Sequence, residues 1–187
     1  ASWEASEPAM GNAPSSALGQ EALEEMQMAS NFNQSEIKRL YKRFKKLDKD
    51  GSGSITADEF LMIPELAMNP LANRVMSIFD INKDDSVHFR EFITALSVFS
   101  VRSGKQEKIR FAFQVYDMDG DGYISNGELF QVLSMMVGSN LTDVQLQQIV
   151  DKTILEADLD GDGRISLDEF EKVLAASDID SKLTIRF

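Results

Sequence analysis

The stretch DMDGDGYISNGE, residues 117–128, decides how this chain folds. Carboxylates stand at its positions 1, 3, 5 and 12 (Asp117, Asp119, Asp121 and Glu128), and Gly122 occupies position 6. Four carboxylates crowded into one turn repel each other unless a cation sits among them. Ca²⁺ is a hard cation that takes roughly six to eight oxygens, and such a loop supplies them from positions 1, 3 and 5, a backbone carbonyl at 7 and a bidentate Glu at 12. Position 6 must turn with φ > 0, which glycine does without steric cost. Asp117, Asp119, Asp121, the Tyr123 carbonyl and Glu128 are therefore candidate calcium ligands.

The pattern recurs three more times, and an internal repeat governs a fold more strongly than any single motif. DKDGSGSITADE at residues 48–59 offers Asp48, Asp50, Ser52, the Ser54 carbonyl and Glu59. DLDGDGRISLDE at 158–169 offers Asp158, Asp160, Asp162, the Arg164 carbonyl and Glu169. DINKDDSVHFRE at 80–91 keeps Asp80, Asn82, Asp84, the Ser86 carbonyl and Glu91, but places Asp85 where its siblings turn on glycine and His88 at position 9. Three to four calcium ions are expected. Thr56–Glu59, Ser125–Glu128 and Ser166–Glu169 also fit S/T-x-x-E capping boxes. A cap explains those pairs and leaves the acidic run upstream unexplained.

Affinity follows ligand charge and rigidity. The third and fourth loops carry four ligand carboxylates each and the first carries three, so the second half should hold calcium more tightly. A left-handed aspartate costs ~1–2 kcal/mol, or about tenfold in affinity. The second loop is thus expected to be the weakest site, filled only at high calcium.

Apolar residues at helical spacing flank each loop. Ile37, Leu40, Tyr41, Phe44 and Leu47 precede the first, with Lys38, Arg39, Lys42, Arg43 and Lys46 opposite. Ile109, Ala112, Phe113 and Tyr116 precede the third, and Leu146, Ile149, Val150 and Ile154 the fourth. Position 8 is Ile55, Val87, Ile124 or Ile165, which suits short strands pairing the loops of a lobe. The expected fold is all-α: two lobes, four helix-loop-helix units and short β bridges between paired loops. Residues 34–101 make the first lobe and 102–177 the second, with a polar hinge at 100–108; 178–187 form a tail. Residues 10–33 form an N-terminal segment containing the helix-compatible QEALEEMQMA.

Composition narrows the function. The net charge of −12 argues against nucleic acid, whose phosphates need a basic surface. With no cysteine and one histidine, neither thiol chemistry nor a histidine triad assembles, and no enzyme is expected. His88 has no second histidine or cysteine with which to hold a transition metal. MGNAPS, from Met10, fits the N-myristoylation pattern, which makes Gly11 a candidate lipidation site and residues 1–9 a non-native leader. A cytoplasmic location with weak, reversible membrane association, conditional on that lipid, is the expectation.

The stretch KIRFAFQVYDMDGDGYISNGELFQVLSMMVGSNLTDVQLQQIVDKTI and the earlier EIKRLYKRFKKLDKDGSGSITADEF resemble the calcineurin B family of EF-hand regulatory subunits. The resemblance runs over residues 10–187, apart from a divergent stretch around 13–31. It implies a non-catalytic subunit of a calcium/calmodulin-dependent Ser/Thr phosphatase that clasps a long amphipathic helix of the catalytic subunit. Docked substrate peptides and immunophilin–drug complexes are further partners it implies. By the same resemblance Leu133, Met136, Val137, Asn140 and Leu141 belong to the docking surface. The residues themselves point the same way, because the apolar positions of NGELFQVLSMMV cover roughly 220° of a helix against ~100° for an ordinary core stripe. A free calmodulin-like sensor is the alternative reading. A calcium buffer is a further one, less favoured because it needs no such face.

Overall fold

Each calcium-type loop closes on a residue at position 9 and a glutamate three places later; in all four that pair starts the next helix, and in three of them position 9 bears a hydroxyl. The Thr56, Ser125 and Ser166 amides donate to Glu59, Glu128 and Glu169 at 3.0, 2.8 and 2.8 Å, and the three hydroxyls accept from the glutamate amides at 3.4, 3.3 and 3.4 Å. Two orphan donors are thereby satisfied at each start. The same device opens two helices away from these loop ends, at Asn33–Glu36 and Thr142–Gln145.

The computed structural model describes residues 18–62 and 67–175. The first lobe contains α1 (Gln20–Ala29), α2 (Gln34–Leu47), β1 (Ser54–Thr56), α3 (Ala57–Leu61), α4 (Ala72–Phe79), β2 (Ser86–His88) and α5 (Phe89–Ser97). The second contains α6 (Lys105–Tyr116), β3 (Tyr123–Ile124), α7 (Asn126–Val137), α8 (Asp143–Ala157), β4 (Ile165–Ser166) and α9 (Leu167–Ala175), with a 3₁₀ turn at Gly138–Asn140. The leader, Met10, Gly11 and the tail 178–187 lie outside the described residues. No helix among the described residues is long and apolar enough to cross a membrane.

The strands pair antiparallel within each lobe, Ile55 opposite Val87 and Ile124 opposite Ile165. All four side chains are buried, so each β bridge ties two loops together through its lobe's core. The first-lobe core gathers Ile37, Leu40, Phe44, Phe60, Met76, Phe79, Phe89 and Phe92. The second gathers Phe113, Leu129, Val150, Ile154 and Ala157.

Three features depart from what the sequence leads one to expect. α1 is part of the first lobe, because Leu23 and, just past the helix, Phe32 are buried in its core. The run expected as a polar hinge is folded. Ser100 and Ser103 are buried, Arg102 donates to the Asn31 carbonyl at 2.8 Å and pairs with Glu36 at 3.1 Å, and 105–108 already belong to α6. Finally, α6 serves both lobes. Its Phe111 sits in the first-lobe core against Phe99 and Phe79, with ring centroids 4.7 and 6.3 Å apart, while Phe113 sits in the second.

Candidate calcium centres and an apolar groove

In each loop the position-12 glutamate folds back over the turn. Glu59, Glu91, Glu128 and Glu169 accept from the amide at position 2 at 2.7, 3.0, 2.8 and 2.8 Å. The aspartate at position 1 accepts from the amide at position 6, at 3.1 Å for Asp48, 2.9 Å for Asp80, 3.2 Å for Asp117 and 2.8 Å for Asp158. These bonds bring acidic oxygens together: Asp48, Asp50 and Glu59, then Asp117, Asp119 and Glu128, then Asp158, Asp160 and Glu169 each present oxygens within 4.8 Å of one another. The matching trio of the second loop holds Asn82 at its centre, so it concentrates one charge fewer.

In three of the loops the closing glutamate is held in its ionised form. Amide and hydroxyl donation from Ser166, with the Leu159 amide, brings Glu169 down to about 2. The Thr56 amide does the same for Glu59 in direction, against the opposing effect of burial. At Glu128 burial pushes upward, and the bonds from Ser125, Asp119 and Met118 outweigh it. One oxygen has no such partner: Asp48 Oδ1 is buried and without a hydrogen bond among the described residues. A buried carboxylate oxygen left unpaired is costly, and a cation held by the first loop satisfies it. The donor set, all oxygen and mostly anionic, fits Ca²⁺.

Beside these loops the second lobe opens an apolar groove of about 270 Å³. Leu129 and Leu133 of α7, Ile149 and Thr153 of α8, and Phe170 and Val173 of α9 line it. Tyr116, Ile124, Ala157 and Ile165 form its floor beside the loops. Leu129 and Val132 of α7 are buried, while Met135 and Met136, toward the end of the helix, are 42% and 49% exposed.

The EF-hand domain pair family matches residues 37–97 and 106–175. The calcineurin B protein of Naegleria gruberi is 70% identical over 171 residues, covering 91% of this chain and 97% of that protein. The type 1 calcineurin B protein of Dictyostelium discoideum is 56% identical over 179 residues, 95% of this chain and 99% of the relative. The human type 2 calcineurin B protein is 56% identical over 168 residues, 90% and 99%. The chain belongs to the calcineurin B family. It is a calcium-binding regulatory subunit of the EF-hand class.

Within this calcineurin B fold, Leu133 lines the groove, whereas Met136, Val137, Asn140 and Leu141 lie beyond it, at the end of α7 and the turn that follows. Two features of the second loop are not apparent from its ligand pattern. Lys83 joins Asp85 at positive φ, +59° and +64°, where the siblings carry Gly51, Gly120 and Gly161 at position 4. The glycines repeated in the other three loops are the signal for it. His88 is exposed, and its Nδ1 also lies 3.5 Å from both Asp84 and Glu91. Nothing in the sequence pattern fixes that rotamer.

Proposed function

We propose that the chain grips an amphipathic helix of a phosphatase catalytic subunit in the second-lobe groove, with calcium held by the loop ligands keeping the loops in shape. The open groove carries this reading. It is apolar, it is lined from three helices, and a helix laid along it buries side chains that water now touches. Bound Ca²⁺ supplies the positive charge that cancels repulsion among the loop carboxylates. Asp117, Glu128, Asp158 and Glu169 then keep Tyr116, Ile124, Ala157 and Ile165 in place beneath the helix. Leu133, with Met136, Val137, Asn140 and Leu141 just past it, extends this face toward docked substrate peptides and immunophilin–drug complexes.

The test is capture of the catalytic subunit by the intact chain in calcium. Leu133→Asp should abolish capture while leaving calcium titration of the loops unchanged, and undiminished capture refutes the groove. The same experiment separates the free-sensor reading. A regulatory subunit stays bound when calcium is lowered to resting levels, whereas a sensor lets go.

Reversible membrane association is a second reading, favoured by α2. That helix carries Lys38, Arg39, Lys42, Arg43 and Lys46 on its polar face, none of them in an ion pair among the described residues. One myristoyl chain at Gly11 binds only marginally, and a polybasic patch is the kind of second signal that makes such anchoring stable. Sedimentation of the acylated chain with phosphatidylserine vesicles should fall sharply for Lys42→Glu/Lys46→Glu. Equal sedimentation with neutral vesicles counts against it.

A further inference from the structure

One cation stands where the lobes meet, and neither the loops nor the groove accounts for it. Arg74, on α4, is six residues ahead of Asp80 and reaches across to the end of α6. Its Nε donates to the Val115 carbonyl at 3.2 Å, and its Nη2 donates to the Gln114 carbonyl at 2.5 Å and to the Asp117 carbonyl. Nη1 donates to Ser77 Oγ at 3.3 Å, and that hydroxyl donates to Arg74's own carbonyl at 2.8 Å, bracing the side chain against its helix.

The last carbonyls of a helix have no partner inside it, and a cation there gains both hydrogen bonds and a favourable helix dipole. Such a cap ordinarily comes from the same segment. Here the other lobe supplies it, and the third acceptor is the carbonyl of the first residue of the third loop. Burial lowers the guanidinium's pKa while the charges of Asp117 and Glu128 oppose that shift. The second and third loops face each other across a cleft of about 590 Å³, whose walls include Asp80, Lys83, Asp117, Asp119 and Arg74 itself.

We infer that Arg74 is a positioning residue that couples the second and third calcium loops, fixing the start of one from the helix that leads into the other. The Asp117 carbonyl it holds belongs to the residue whose carboxylate accepts from Gly120 and Gly122 at 2.8 and 3.2 Å, so the clamp sets where that carboxylate begins. At the other end, the Asp80 amide donates to Met76 of α4 at 2.9 Å, so any movement of α4 carries Asp80 with it. An ordered third loop fixes the Asp117 carbonyl beside those of Gln114 and Val115 at the end of α6, and so holds Arg74 and α4 in the orientation the second loop needs. By linkage the effect runs equally in reverse. Arg74 serves these carbonyls from two nitrogens, Nε and Nη2, held in one plane, whereas the three donors of a lysine all leave a single atom on a flexible stem.

The inference rests on calcium binding at both loops, and its test is calcium titration of the full chain followed at second-loop amide resonances. With Arg74 in place, Glu128→Gln should lower second-loop affinity about fivefold or more, the lower end of ordinary coupling. On an Arg74→Met background the same change should leave second-loop affinity unaltered. Arg74→Lys, which keeps the charge and the packing stem, should behave like Arg74→Met, and it carries the test if the methionine variant does not fold. An equal loss with and without Arg74 overturns the latch, and full coupling in Arg74→Lys overturns the role of the fork. A wild-type chain in which neither loop takes calcium overturns the calcium reading itself, a result distinct from intact binding without coupling.

Discussion

Lys83 and Asp85 hold the second loop in a shape its three siblings reach with glycine, at φ of +59° and +64°. Each non-glycine residue in that region carries ~1–2 kcal/mol of strain. Lys83→Gly and Asp85→Gly should therefore each raise second-loop calcium affinity by about tenfold. Isothermal titration of the full chain reads this directly, and no gain from either change means the strain is present equally in the empty loop. Asp85 is legible from position 6 alone. Lys83 is less so, because position 4 is no ligand and its glycine shows only as a repeat among the siblings. A second residue-scale effect concerns pH. Glu169 stands at about 2 in the fold against an ordinary 4.5. A folded value below the unfolded one stabilises fully above pH 4.5, and that contribution disappears as pH falls toward 2. The calcium-free chain should lose thermal stability across that window, and Glu169→Gln should lose less. Parallel decline of both proteins contradicts it.

At the scale of elements, the helix starts follow from the sequence because a capping box is local chemistry: a hydroxyl, a glutamate and the spacing between them. Thr142–Gln145 has the same form, with the Thr142 amide donating to Gln145 at 3.0 Å and the Gln145 amide donating to the Thr142 hydroxyl at 3.3 Å. It opens α8, whose far end runs straight into Asp158 of the fourth loop. Thr142→Ala should destabilise the chain by ~1 kcal/mol, measured by denaturant unfolding in chelator, and Thr142→Ser should restore it. A smaller loss than that of an exposed mid-helix change would show the box to be redundant. The faces of the helices are harder to read. The breadth of apolar cover on α7 announces more than a core stripe, yet only the packing shows that Leu129 and Val132 are buried while Met135 and Met136 stay exposed. On α6, Ile109, Phe113 and Tyr116 mark a stripe for the second lobe, and Phe111 fits no such stripe. It belongs to the other lobe's core, and helical period cannot say which of two neighbours a residue will meet.

For the whole molecule, the two lobes are legible from four repeats in pairs, and their union is not. Phe111 and Arg74 cross the boundary in opposite directions, one by burial and one by hydrogen bonds, and neither carries a motif. The division of labour between the lobes nonetheless follows from where the groove lies. Its floor is made of Tyr116, Ile124, Ala157 and Ile165, each within a residue of the third or fourth loop or inside it. Glu128 and Glu169 close those loops, so disordering either one disorders the surface proposed to receive the partner helix. Glu59 closes a first-lobe loop that contributes no residue to that groove. The paired change Glu128→Gln with Glu169→Gln should therefore weaken capture of the catalytic subunit by well over an order of magnitude, or more than about 1.4 kcal/mol. Glu59→Gln should cost only a few-fold at saturating calcium and show its effect mainly in how the bound complex responds as calcium falls. Binding measured by calorimetry on the three proteins decides the matter. Equal losses would mean that the first lobe grips the helix as strongly as the second, and that the second-lobe groove is only half of the site.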